Sequence, residues 1–243
     1  PSDVMIGTDG AIYIADWYDA VVGGHQMKDE KGYGRIYRIT PKGKKLTAPK
    51  IDLTTTAGQI EALKNPAANV RALGFAALKA QGKKAIKPAK TLLASTNPYH
   101  QARAVWLLSQ LGDKGVAEVE KTLASPDEKL RATAYRALRQ VYPGEQIIPL
   151  AEKLASDPSA LVRREVAVSL RDLPIDKTKN SILQILKTYD GKDAYYLEAV
   201  GAALDGKVDP LYQQINWMFV RSTDNENEKN IKTWNNILWR LRP

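Results

Sequence analysis

The sequence contains no cysteine and only two histidines, and these absences exclude several kinds of chemistry. Without cysteine the chain cannot form a disulfide bond, a cysteine-based zinc site or a thiol nucleophile. No run of about 18 apolar residues occurs, so the sequence predicts no membrane-spanning helix. Neither a glycine-rich phosphate-binding loop nor a His-Glu-x-x-His zinc motif is present. Few of the residues and motifs that usually form a catalytic centre are therefore present.

What the sequence does contain is a short pattern that recurs four times. In each copy a proline is followed five residues later by an arginine. The copies are Asn65-Pro66 with Arg71, Asn97-Pro98 with Arg103, Ser125-Pro126 with Arg131, and Asp157-Pro158 with Arg163. The prolines are 32, 28 and 32 residues apart, and a period near 30 is typical of helical hairpins stacked into an α-solenoid. The sequence therefore predicts a mainly α-helical fold built from such hairpins.

The residue before each proline indicates where a helix begins. Asparagine, serine and aspartate are preferred helix N-caps, and proline is well tolerated at the first helical position. The second helix of each hairpin is therefore predicted to be capped by Asn65, Asn97, Ser125 or Asp157. A shorter first helix is predicted before each cap, at about 57–64, 84–95, 114–124 and 145–155.

These units resemble HEAT repeats. The resemblance rests on Ser125-Pro126-Asp127 leading to Arg131, and on Asp157-Pro158 leading to Arg163. In that family an arginine early in the second helix bonds to an acidic or carbonyl group of the adjacent unit. The resemblance makes Asp127 and Asp157 possible partners, whereas asparagine replaces the acid in the first two units. The favoured interpretation is that the arginines are structural residues at the repeat junctions, and the alternative is a row of ligand-binding arginines: Arg71, Arg103, Arg131 and Arg163.

Beyond residue 175 the pattern loses its proline and its arginine but keeps a helical periodicity. Further helices are predicted near 178–189, 193–204, 211–219 and 231–241. The favoured interpretation is a capping unit that closes the end of the solenoid. The alternative is an aromatic docking surface built on the tryptophans of this segment. The residues concerned are the stripe Ile231, Trp234, Leu238 and Leu241, together with Trp217 and Trp239.

The first fifty residues belong to a different structural class. Short β-type runs at 3–6, 11–15 and 34–39 predict a small antiparallel sheet. Its apolar face is predicted to hold Ile12, Ile14 and Ile36 or their neighbours. The chain is therefore divided into a β segment with its linker, residues 1–50, and a helical region, residues 51–243.

The β segment also matches a longer motif, Asp3-Val-x-Ile-Gly-x-Asp-Gly-Ala-x-Tyr-x-Ala-Asp-Trp-Tyr18, which continues through Gly24-His25 into Gly34–Ile39. This motif resembles the last blade of a six-bladed β-propeller in large bacterial proteins classed as membrane-bound dehydrogenases. Their propellers are similar to those of quinone-dependent sugar dehydrogenases. In that family a HEAT-like region follows the propeller, often with a c-type cytochrome domain after it.

The resemblance implies that this chain is the last propeller blade plus the helical region of a larger secreted protein. It implies a periplasmic or cell-surface location and a parent oxidoreductase that uses a quinone and haem c. Because the haem motif Cys-x-x-Cys-His is absent, no covalent haem can be attached here, and we expect no cofactor in this chain. The chain alone is predicted not to be an enzyme, and its partners would be the rest of the propeller or another protein domain.

One polar cluster in the β segment is a candidate ligand site. In propellers the loops at strand ends line the mouth of the central channel, where substrates bind. The favoured interpretation is structural: Asp16 and Trp17 fix the blade turn, and His25 forms a hydrogen bond with the backbone. A ligand-binding role is the alternative, and a metal site is the least favoured because only oxygen ligands and one histidine are available. The cluster consists of Asp16, Trp17, Tyr18, Asp19, His25 and Arg35.

Three functions remain open, and the net charge of +9 bears on the first and the third. The first is a non-catalytic interaction scaffold, for which an acidic partner or a polysaccharide would complement the charge. The second is a loop at 16–35 that completes a sugar- or quinone-binding propeller site. The third is a HEAT-type nucleic-acid-binding protein, which ranks last because the positive charge is its only support.

Overall fold

The computed structural model describes residues 2–18 and 32–223, together with residues 233, 235–237 and 239–240. Within these ranges the protein is mainly α-helical, with a small three-stranded sheet at the N-terminal end, which confirms the predicted fold class. None of the described helices combines the length and the apolarity that a membrane crossing requires. Contacts divide the chain into two compact units, Pro1–Leu107 and Leu108–Pro243. The division into 1–50 and 51–243 stays a prediction.

The sheet consists of β1 (Asp3–Ile6), β2 (Ile12–Asp16) and β3 (Arg35–Ile39). Both pairings are antiparallel and the strand order follows the sequence. Each strand lies within one residue of its predicted position, because period-two alternation and the turn residues around Gly10 mark its limits.

The register of the sheet shows which apolar residues share a face. Residues opposite one another on neighbouring strands share a face. Ile14 lies opposite Tyr37, whereas Ile36 lies opposite Ala15. Ile36 therefore lies on the opposite face, and its neighbour Tyr37 lies beside Ile12 and Ile14 instead. The face that carries Ile12 and Ile14 is completed by Val4, Ile6, Tyr37 and Ile39.

Four helices complete the first unit: α1 (Thr56–Lys64), α2 (Ala68–Ala80), α3 (Ile86–Leu93) and α4 (Pro98–Leu108). A 3-10 turn at Gly82–Ala85 leads into α3. A small core lies where α1 and α2 meet, and linker residues Ile51 and Leu53 pack against it. The β1–β2 turn contacts the α1–α2 turn, because Asn65 Nδ2 donates to the carbonyl of Thr8 at 3.3 Å.

Seven helices are described in the second unit: α5 (Asp113–Thr122), α6 (Glu128–Val141), α7 (Ile148–Leu154), α8 (Ala160–Ser169), α9 (Ile175–Lys187), α10 (Ala194–Ala203) and α11 (Val208–Thr223). A 3-10 turn at Gly144–Ile147 precedes α7. The second helices of successive hairpins pack side by side, α6 against α8 and α8 against α10. Their shared core includes Leu138, Leu170 and the fully buried rings of Tyr135 and Tyr196.

The predicted C-terminal stripe mostly lies outside the described residues, since Ile231, Trp234, Leu238 and Leu241 are not among them. Of the other tryptophans in this segment, Trp217 and Trp239 are exposed. Neither the capping role nor the docking surface is decided by these positions, and both stay predictions.

Burial of Tyr135 predicts that the free energy of unfolding falls as the pH rises into the alkaline range. Its hydroxyl is hydrogen-bonded to Ser169 Oγ at 2.6 Å, and burial raises the pKa of Tyr135 to about 12. The unfolded chain loses this proton near the ordinary pKa of 10, so deprotonation favours unfolding between pH 10 and pH 12. Across that window we expect the wild type to lose about 2–3 kcal/mol more unfolding free energy than Tyr135→Phe. Urea unfolding of both proteins at pH 9, about 11 and about 12 measures this difference, and parallel curves would contradict it.

Candidate functional site: the arginines of the repeat turns

The turn before each second helix differs from the prediction at three of its four copies. The N-caps of α2, α6 and α8 are Ala67, Asp127 and Ser159, two residues after the predicted positions. Only Asn97 caps its helix as predicted, accepting from the N–H groups of Tyr99 and His100. Proline fits both the first helical position, as at Pro98, and the position just before the cap, as in the other three copies.

The three residues that were predicted as N-caps but do not cap a helix each begin a small turn just before it. Asn65 Oδ1 accepts from the N–H of Ala67 at 2.8 Å. Ser125 Oγ accepts from Asp127 at 3.2 Å, and Asp157 Oδ1 accepts from Ser159 at 2.8 Å. In the second repeat the same bond is made by Ser95, whose Oγ accepts from the N–H of Asn97 at 3.1 Å. The structurally equivalent positions are therefore 65, 95, 125 and 157, which are 30, 30 and 32 residues apart.

Three of the four arginines close this turn in the same way. The Nη1 of each donates to the carbonyl oxygens of the two residues that begin its own turn. For Arg131 these distances are 2.9 Å to Ser125 and 3.2 Å to Pro126. Carbonyls just outside a helix have no intrahelical partner, and a guanidinium with several donors satisfies two of them together. The arginines that share this role are Arg71, Arg131 and Arg163.

Arg103 is not equivalent to the other three arginines. The equivalent position in the second repeat, four residues after the N-cap, is occupied by Gln101. Arg103 lies two residues further along, and its Nη1 donates to Leu63 O at 3.1 Å and Lys64 O at 2.8 Å. These are the last carbonyls of α1, so Arg103 caps the C-terminal end of that helix. The equal spacing from proline to arginine concealed this difference.

In the second unit Arg131 and Arg163 also form hydrogen bonds with residues of the next repeat. Arg131 Nε and Nη2 donate to the two carboxylate oxygens of Asp157 at 2.9 and 2.7 Å, and both side chains are buried. Asp127, the other acidic residue suggested by the resemblance, caps α6 instead. Arg163 Nε donates to Tyr196 Oη at 3.1 Å, and its Nη2 donates to Thr188 O at 3.2 Å. The hydrogen bond from Arg131 to Asp157 raises the pKa of that arginine.

In the first unit the repeat arginines Arg71 and Arg103 have no carboxylate partner among the described residues. They line an open groove of about 490 Å³, and we name it the two-arginine groove. Burial lowers the pKa of the Arg103 guanidinium, and the neighbouring positive charge of Arg71 lowers it further. Sequence reasoning missed this groove, because it treated the four arginines as one class. The groove is lined by Leu63, Ala68, Arg71, Ala72, Phe75, Arg103 and Trp106.

The candidate cluster in the β segment is only partly described. Asp16 and Arg35 lie opposite each other at the ends of β2 and β3, and Arg35 Nη1 donates to Tyr33 O at 2.8 Å. Trp17 is exposed, as is Tyr18, whose ring packs edge-on against that of Tyr33. Asp19 and His25 lie outside the described residues. The ligand-binding role of this cluster stays a prediction. Nowhere in the described ranges do three or more histidine or acidic side chains gather as metal ligands would.

Comparison with known proteins supports the repeat assignment for part of the chain. Residues 116–204 match a family described as HEAT repeats, as the resemblance implied. Among solved structures, the crystal structure of an engineered protein from the Northeast Structural Genomics Consortium is 16% identical. That similarity covers 76% of this chain and 96% of that chain, with a TM-score of 0.40, and we draw nothing further from it. No curated protein gives a significant match.

Proposed function

We propose that this chain is a non-catalytic interaction scaffold. The main supporting observation is that buried charged side chains in the second unit bond one helical hairpin to the next. Arg131 and Arg163 join one hairpin to the next, and Glu165 does the same through its ion pair with Arg136. Charged groups committed in this way hold helices in register rather than exchange protons with a substrate. HEAT repeats typically mediate protein interactions.

A finer proposal is that the chain belongs to a larger secreted protein similar to the membrane-bound dehydrogenases. The motif at residues 3–40 supports it, and so does the sheet that this motif forms. Val4, Tyr37 and Ile39 on one face of the sheet are each about half exposed. Contiguous exposed apolar side chains indicate a surface that another element covers, as an adjoining blade would. In such a parent, quinone and haem chemistry would lie outside this chain, at a periplasmic or cell-surface location.

A second candidate is the loop that completes a sugar- or quinone-binding site. The exposed rings of Trp17 and Tyr18 beside Asp16 favour it, because aromatic and carboxylate groups together suit a sugar. It predicts turnover or sugar binding that depends on this loop, whereas the scaffold predicts neither.

The scaffold proposal is tested by measuring peptide binding and turnover on the same purified chain. We expect a displayed random-peptide library to enrich sequences that bind the folded protein in ordinary buffer. We expect no oxidation of glucose when pyrroloquinoline quinone and an artificial electron acceptor are added. Turnover that disappears in His25→Ala would contradict the scaffold and favour the loop. Failure of the library to enrich any peptide would contradict it as well.

A further inference from the structure

We propose that the two-arginine groove of the first unit binds an acidic peptide segment from a partner protein, with a glutamate or aspartate beside a large apolar side chain. The carboxylate would lie between Arg71 and Arg103, and the apolar side chain would lie against Phe75 and Trp106. This inference rests on the proposed function and specifies where such a scaffold binds and what chemistry it recognises.

The hydrogen bonds of the two arginines support the carboxylate. Arg71 and Arg103 each use only Nη1, and each donates to backbone carbonyls of the α1–α2 segment. Their Nε and Nη2 groups have no acceptor within the part of the chain that the structure describes. In Arg131 these same two atoms hold both oxygens of Asp157. The planar edge formed by Nε and Nη2 matches the two oxygens of a carboxylate or a phosphate, and in this protein the Arg131 edge holds a carboxylate.

The repeat relation explains why this position lacks a carboxylate of its own. Arg131 takes its carboxylate from Asp157, the first turn residue of the following repeat. The same turn residue in the repeat that follows Arg71 is Ser95, which has no charge. A peptide glutamate or aspartate would supply from outside what Asp157 supplies from within the chain. It would also relieve the repulsion between two neighbouring positive charges.

The rest of the groove supports an apolar neighbour for that carboxylate. Ala68 and Ala72 lie one helical turn apart on α2, and their small side chains leave room above them. Phe75 and Trp106 line the same groove, and Trp106 is 36% exposed. A volume of about 490 Å³ accommodates one or two large side chains. Only two cations line the groove, whereas a nucleic-acid backbone is held by a row of them, so we favour a peptide.

The binding test uses the full chain and a capped peptide, acetyl-Gly-Glu-Leu-Phe-Gly-amide. Binding is followed by NMR through the Trp106 indole N–H and the Nε–H groups of Arg71 and Arg103. We expect saturable shifts with a dissociation constant of roughly 0.1–1 mM, as is reasonable for so short a ligand. The peptide with glutamine in place of glutamate should bind at least about tenfold more weakly, because the charge-assisted pair is lost.

Variants of the chain separate the groove from its surroundings. Arg71→Gln and Arg103→Gln should each weaken binding about tenfold, since each loses one of the two guanidiniums. Because these arginines also bond to backbone, a second variant leaves them in place: Ala72→Leu fills the groove from an exposed helical position and should abolish binding. Arg171→Gln is the matched control for net charge, since this exposed arginine of the second unit already faces acidic residues.

Three outcomes would overturn the assignment. The first is equal affinity for the glutamate and glutamine peptides, and the second is full binding by Ala72→Leu. The third is displacement of the peptide by a short oligothymidylate that shifts the same side-chain signals, which would assign the groove to phosphate. If library-selected peptides bind the chain and are not displaced by the glutamate peptide, the scaffold proposal stands while the groove assignment fails.

Discussion

Asp157→Ala is expected to lower the free energy of unfolding by about 3–5 kcal/mol, the cost of breaking a buried ion pair from one side. The substitution leaves the Arg131 guanidinium in a buried position without the two carboxylate oxygens that it now contacts at 2.9 and 2.7 Å. It also removes the hydrogen bond that the N–H of Ser159, the N-cap of α8, donates to Asp157 Oδ1. Urea unfolding followed by circular dichroism measures the loss.

Two further proteins show whether the ion pair itself causes this loss. Asp172→Ala removes an aspartate whose side chain is 93% exposed, and we expect a change below about 0.5 kcal/mol. The double variant Arg131→Met/Asp157→Leu replaces both charges with apolar side chains of similar size. It should recover much of the stability lost in Asp157→Ala, because no unpaired charge then remains buried. An Asp157→Ala protein as stable as Asp172→Ala would contradict the junction role.

Gly74→Val is expected to destabilise the first unit by about 3 kcal/mol or more, as overpacking of a tight helix contact does. A Cβ atom at residue 74 would lie 2.7 Å from both Gln59 O and Leu63 N of α1. These are backbone atoms, so the clash is relieved only if α1 and α2 move apart. The core around Ala62 and Val70, which lies where these two helices meet, would then lose its packing.

The matched control is Ala76→Val in the same helix. Residue 76 is exposed, so the new side chain costs only the difference in helix propensity, about 0.6 kcal/mol. Thermal unfolding of the two variants, compared with the wild type, separates the clash from the propensity. Equal melting temperatures for Gly74→Val and Ala76→Val would contradict the close approach of α1 and α2.

Local features of the chain were predictable because they depend on neighbours in sequence. The strands at 3–6, 12–16 and 35–39 lie close to the predicted ranges, since alternation and turn residues mark strand limits. The first helices of the hairpins were also placed within a few residues by their apolar spacing. The N-caps were misplaced by two residues in three repeats, because a proline fits both the first helical position and the position just before the cap.

The candidate groove was not predictable from the repeat pattern. Arg71 and Arg103 occupy the same position relative to a proline, yet one bonds to its own turn and the other to the end of α1. The second repeat carries its turn residue at Ser95, before a threonine rather than a proline, so the pattern of a residue before proline pointed to Asn97, two residues too late. Only the folded structure shows which carbonyl or carboxylate oxygens each arginine reaches.

The class of the fold could be predicted from the chain alone: repeated helical hairpins after a short antiparallel sheet, without cysteine chemistry. These properties follow from periodicity and composition, which act over a few residues. Tertiary packing was needed to find the face on which Ile36 lies, the partner of each arginine and the two-arginine groove. Register and ion pairing depend on which distant groups packing brings within about 3 Å of one another. The number of residues between two groups in the sequence does not predict that distance.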